Sequence, residues 1–174
     1  MAFEGVGIRV EEGWIEKDRE KMAEILIIVG TESGNAQMVA DTLQDELSRL
    51  GHAITIATEG DADALDLASH RMVLICTSTH GLGELPDNII PLADSLQAMP
   101  PDLSGLSYGV IALGDQTYHD TFCQAGKTLD ALFAACGAQK VGDRLEIDAC
   151  TQPLPDEEAL SWTKDWIALF ADAL

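Results

Sequence analysis

From Glu24 onward the chain alternates short apolar runs with stretches of helical periodicity. "EILIIVG" (Glu24 to Gly30) reads as a buried strand, and the segment after it sets Val39, Leu43, Leu47 and Leu50 on one helical face before Gly51 stops it. Ala53 to Thr58, Met72 to Thr77, Tyr108 to Leu113 and Arg144 to Ile147 supply further strand candidates. Between them, Ile89, Leu92, Ala93 and Leu96 mark one helix, and Ala125, Leu129, Leu132, Phe133 and Cys136 mark another, closed by Gly137. A last helix follows Pro155, opens with Asp156, Glu157 and Glu158 beside its positive N-terminus, and turns Ala159, Trp162, Trp166, Ile167 and Phe170 inward.

Alternation of this kind specifies a parallel sheet with helices on both faces. About five strands predict the order 2-1-3-4-5, in which ligands sit beyond the carboxyl ends of the strands at the switch point. The informative loops are therefore those after strands one, three and four. Met22 begins "MAEILIIVG", which reads like a protein start, so Met1 to Lys21 is expected to be an extension ahead of one domain spanning 22–174.

Charge narrows the partners. The 174 residues carry 10 Lys and Arg against 30 Asp and Glu, a formal charge of -20, which argues against nucleic acid and anionic membrane. A basic protein partner and a merely solubilising surface both remain open on charge alone. No apolar stretch approaches the ~18 residues of a membrane span, and the polar N-terminus lacks a signal-peptide pattern, so the expected location is the cytoplasm. Cys76, Cys123, Cys136 and Cys150 form no CxxC pair and are expected to be reduced thiols. His52, His70, His80 and His119 lie in separate segments with no nucleophile, base and acid pattern around them.

The loop after the first strand is "TESGNA". A strand that turns directly into a helix leaves backbone N–H groups unpaired at the positive end of the helix dipole, which makes an anion site. Gly34 allows close backbone approach, while Thr31, Ser33 and Asn35 add neutral donors. With no lysine, the loop is not GxxxxGK[ST], and Gly30 and Gly34 do not fit GxGxxG. A response-regulator reading weakens for want of an acidic pair at the end of the first strand. A monophosphate held by many hydrogen bonds remains, beside the simpler alternative that Ser33 or Asn35 only caps the helix. The other two loops, "TSTHGLGELPDN" (Thr77 to Asn88) and "GDQTYHDTFC" (Gly114 to Cys123), offer Gly81 and Gly83 for close approach and Tyr118 as an aromatic surface. Together the three loops suit a phosphate and a planar ring.

In order and spacing these three strings resemble the flavodoxins, nearest to the short MioC-type flavodoxins and the FMN domains of diflavin reductases. The resemblance covers Met22 to about Leu174 and implies a flavodoxin-like three-layer α/β fold with FMN as cofactor. It implies that Thr31, Glu32, Ser33, Gly34, Asn35 and Ala36 wrap the phosphate. Ser78, Thr79, His80, Gly81 and Leu82 would border the ring on one side, with Gly114, Asp115, Tyr118 and Cys123 on the other. Tyr118 is the implied stacking residue, and Cys123 is expected to contribute backbone N–H rather than thiol chemistry. His80 stands where the family often has Trp or Tyr, and Ala36 where it often has Thr. No insertion of about twenty residues separates Lys140 from the last helix, as in the short-chain class.

The activity so implied is one-electron transfer between a basic reductase, such as a flavodoxin reductase, and an acceptor protein, with a monomer expected. A non-carrier FMN-binding module and a small FMN-dependent quinone oxidoreductase are the alternatives. Glu84, Asp87, Asp115 and Asp120 fall in the ring loops. A carboxylate ~10 Å from the ring is worth about 1 kcal/mol at intermediate dielectric, or roughly 40 mV per electron. Several such charges would make full reduction hard to reach.

Overall fold

The computed structural model describes residues 22–171. The expected extension, Met1 to Lys21, and the last three residues lie outside the described residues. The elements are β1 (Glu24–Gly30), α1 (Asn35–Arg49), β2 (Ala53–Ala57), β3 (Met72–Ser78), α2 (Ile90–Ala98), β4 (Ser107–Gly114), α3 (Gln124–Ala135), β5 (Gln139–Lys140), β6 (Leu145–Asp148) and α4 (Pro155–Ala171). Short 3₁₀ turns cover Leu67–Ser69, Asp87–Ile89 and His119–Thr121.

All the named strands pair in parallel, in the order β2-β1-β3-β4, and both β5 and β6 pair with β4. The expected order 2-1-3-4-5 is present, with its fifth position shared by two short segments. β5 meets the start of β4 at Ser107 and Tyr108, whereas β6 meets its end from Ile111 to Gly114. Val141 to Arg144 interrupt the position, and Gly142 there adopts φ +72°.

Strand alternation sends successive residues to opposite faces. Leu26, Ile28, Val73, Ile75, Val110 and Ala112 pack with Leu92, Leu96, Leu129 and Phe133 of α2 and α3. Ile25, Ile27, Val29, Leu74, Cys76 and Ile111 pack with Val39, Leu43 and Leu47 of α1 and with Trp166 of α4. The Trp166 indole reaches the sheet because Gly109 has no side chain: a Cβ there would stand 2.7 Å from Nε1. That Nε1–H donates to the Val141 carbonyl at 3.0 Å, so the buried indole keeps a polar partner. Leu50 departs from the expected inward face and is 57% exposed, because it caps the end of α1 and the following Gly51, at φ +94°, turns the chain away.

Candidate cofactor-binding site

β1, β3, β4 and β6 end at the same edge of the sheet, and the loops leaving them enclose a cavity of about 740 Å³. That volume falls in the range of small-molecule sites. Its lining brings together Glu32, Ser33, Asn35, Ser78, Thr79, His80, Gly81, Leu82, Gly114, Asp115 and Tyr118 from the three loops singled out in the sequence. Thr31, Gly34, Ala36 and Cys123 are not in the lining. Ala36 is fully buried in the first turn of α1, and Cys123 is fully buried with its thiol donating to the Ala112 carbonyl at 3.4 Å.

Only Thr31 to Gly34 form loop, since α1 begins at Asn35. Gly34 is the residue before the helix, at φ +91°, a backbone region that costs an L-residue free energy. No side chain caps α1, so the reading of Ser33 or Asn35 as a simple cap fails. The Thr31 hydroxyl accepts the Gly34 N–H at 2.9 Å and thereby closes the loop on itself. Among the described residues no hydrogen bond engages the N–H groups of Ser33, Asn35 and Ala36. Unpaired N–H groups at a helix N-terminus are anion donors. The donor set is neutral and numerous, which fits a phosphate monoester.

The second loop is a tight turn. His80 N–H donates to the Glu84 carbonyl, and the His80 carbonyl accepts the N–H groups of Gly83 and Glu84, at 2.8 to 3.1 Å. Gly81 and Gly83, at φ +50° and +104°, permit that turn. It holds Leu82 out at 81% exposure on the cavity rim. In the third loop Tyr118 is 59% exposed and lines the cavity, its N–H donating to the Asp115 carbonyl at 3.0 Å. Gly114 lets this loop return over the end of β4, because a Cβ there would come 2.8 Å from the Cys123 nitrogen.

Met38, Leu113, Thr121, Ile147, Ala149, Gln152, Pro153 and Pro155 complete the wall and are additions to the sequence reading. Five of them come from the end of β6, the loop that follows it and the first residue of α4. The rule that ligands gather beyond strand ends applied to that strand too, but "ACTQPLP" carries no glycine-rich or aromatic signal.

Asp148 ties this fourth loop to the third. Its buried carboxylate accepts the N–H groups of Gln116 and Cys150, at 3.1 and 3.0 Å, and the Thr151 hydroxyl. Burial alone would push this carboxyl up, yet the hydrogen bonds from Gln116, Cys150 and Thr151 prevail and hold it below the usual carboxylate range. The Asp115 carboxylate receives the Cys150 thiol and the Thr117 N–H, and these bonds lower it likewise. Both groups are therefore anions at neutral pH. Burial pushes the Cys76 and Cys123 thiols up to about 12, with Glu146 adding to the effect on Cys123, so neither is a thiolate nucleophile near neutrality.

A family model described as Flavodoxin matches residues 27–162. Flavodoxin YqcA of Escherichia coli K12 is 40% identical over 150 residues, covering 86% of this chain and 100% of that protein. Protein MioC of the same strain is 36% identical over 148 residues, covering 85% of this chain and 99% of that protein. Among solved structures, a cysteine-to-serine mutant of a flavodoxin from Pseudomonas aeruginosa superposes with a TM-score of 0.77 at 34% identity, covering 84% of this chain and 97% of that one.

Proposed function

The chain belongs to the flavodoxin family, and from that premise we propose that it is a one-electron carrier linking a basic reductase to an acceptor protein. FMN is the cofactor of this family. The observation that carries the reading is the uncapped first turn of α1, at a cavity that Tyr118 also lines. The free N–H groups of Ser33, Asn35 and Ala36 would hold the phosphate, which needs no lysine because the charge is met by helix dipole and many donors. The turn from His80 to Leu82 would border the ring on one side and Tyr118 would cover it on the other.

When bound, FMN supplies reversible uptake of single electrons. The chain's own residues set how readily negative charge accumulates at the site. Glu32 and Asp115 line the cavity, and Glu84, Asp87 and Asp120 stand on its loops. These anions oppose further negative charge there and attract a cationic partner. The reading assigns the function to 22–174, with 1–21 as an extension, and puts the protein in the cytoplasm as a monomer. No helix among the described residues is long and apolar enough to cross a membrane.

The test is electron transfer from a basic flavodoxin reductase at rising ionic strength. The second-order rate falls past ~0.1 M salt, where the Debye length shrinks to about 10 Å. Glu84→Gln with Asp87→Asn lowers the rate and flattens its salt dependence, whereas Asp45→Asn with Glu46→Gln on α1 has a smaller effect. A rate indifferent to salt, together with rapid quinone reduction in the absence of a partner protein, would replace the carrier with an oxidoreductase.

A further inference from the structure

We propose that Asn88 is the positioning residue that sets the phosphate loop and so gives the site its preference for FMN over flavins without a phosphate, an inference that rests on the FMN reading above. Asn88 does not line the cavity; it sits in the 3₁₀ turn Asp87–Ile89 that leads from the second loop into α2. Its carboxamide nitrogen donates to the Val29 carbonyl at 2.7 Å and to the Thr58 carbonyl at 2.8 Å. Its Oδ1 accepts the Thr31 N–H at 3.0 Å. One side chain thus ties the end of β1, the segment after β2 and the first residue of the phosphate loop to the second loop.

The chemistry of the position calls for an amide. Two carbonyls require two donors and one N–H requires an acceptor, and among side chains of this length only asparagine offers both from one planar group. Aspartate is isosteric but, when ionised, has no donor, so it would face the Val29 and Thr58 carbonyls with like partial charge.

The consequence for the site lies in which N–H groups remain free. Asn88 takes the Thr31 N–H and the Thr31 hydroxyl takes the Gly34 N–H, so both ends of the loop are fixed internally. Ser33, Asn35 and Ala36 keep unpaired N–H groups at the helix start, and the two bonds at Thr31 brace the loop that presents them. Preorganised donors avoid the ordering cost of binding. Release of Thr31 would return that cost, and only a ligand bearing a phosphate would feel it.

The experiment titrates the full-length chain, freed of flavin, with FMN and with riboflavin, for the natural protein and for Asn88→Asp and Asn88→Ala. Both variants weaken FMN about tenfold, the equivalent of ~1.4 kcal/mol, and leave riboflavin within about twofold. An unchanged ratio of the two affinities in a folded variant overturns the role of Asn88. Equal affinity of the natural protein for FMN and riboflavin overturns the phosphate-loop reading instead. Should neither variant fold, amide hydrogen exchange in the natural chain decides: Thr31 exchanges more slowly than Ser33 and Asn35, and exchange of Thr31 as fast as theirs refutes the anchor.

Discussion

The Glu32 carboxylate accepts the Asp87 N–H at 2.7 Å, joining the phosphate loop to the second loop across 55 positions of sequence. The bond uses Oε1 as an acceptor and does not require charge. Glu32→Gln keeps that acceptor and is expected to change FMN affinity by less than about twofold. Glu32→Ala releases the Asp87 N–H to water and should weaken FMN several-fold, on the scale of ~1 kcal/mol for one hydrogen bond. Dissociation constants from flavin fluorescence check both, and equal losses in the two variants would show that charge, rather than the hydrogen bond, is what Glu32 supplies.

Tyr118 projects its ring into solvent at the cavity while its backbone is anchored by Asp115 and Thr121, so truncation should leave the fold intact. Tyr118→Ala is expected to weaken FMN about fivefold, from ~1 kcal/mol of aromatic contact beyond area. It should also raise the potential of the second reduction step, because water then reaches the developing anion. Unchanged affinity and potentials would remove Tyr118 from the site.

The opposite end of the sheet holds a buried carboxylate. Asp130, only 6% exposed, accepts the Tyr108 hydroxyl at 2.7 Å and pairs with Lys140 and Arg144. Burial works to raise this carboxyl, but Tyr108, Lys140 and Arg144 together hold it below the usual range. A carboxylate whose pKa is depressed by folding contributes stability that is present above its unfolded value, about 3.9, and lost as pH falls through the folded value. Asp130→Asn should therefore destabilise the protein by about 2 to 4 kcal/mol at neutral pH, leaving two cations facing a neutral amide. The gap from the natural protein should close below about pH 4. Urea midpoints measured from neutral pH down into the acid range check this, and a gap that persists at the acid end would assign the loss to packing instead.

The pattern of the chain carried the fold because the central strands β1, β3 and β4 are apolar runs buried on both faces that end at Gly30, Ser78 and Gly114. β1 appears over the same seven residues that the apolar run predicted, Glu24–Gly30. The shared fifth position was not legible, since two-residue β5 is exposed and has no apolar signature. The loops after β1, β3 and β4 were legible from glycine and hydroxyl residues at strand ends. Asn88 and Asp148 were not, because each reaches backbone groups far along the chain, Thr58 and Val29 for Asn88 and Gln116 for Asp148, and hydrogen-bond partners at that range leave no periodicity. The wall from Ala149 to Pro155 was missed for a related reason: it encloses by position and carries no motif.

An anaerobic redox titration of the purified protein, followed by the absorbance of its flavin, decides whether the chain is a one-electron FMN carrier. A carrier shows bound FMN that takes up two electrons in separate one-electron steps, the second at clearly lower potential because Glu32, Asp115 and the carboxylates around them oppose added negative charge. Protein that purifies and reconstitutes without flavin, or flavin that is reduced in a single two-electron step, would contradict it.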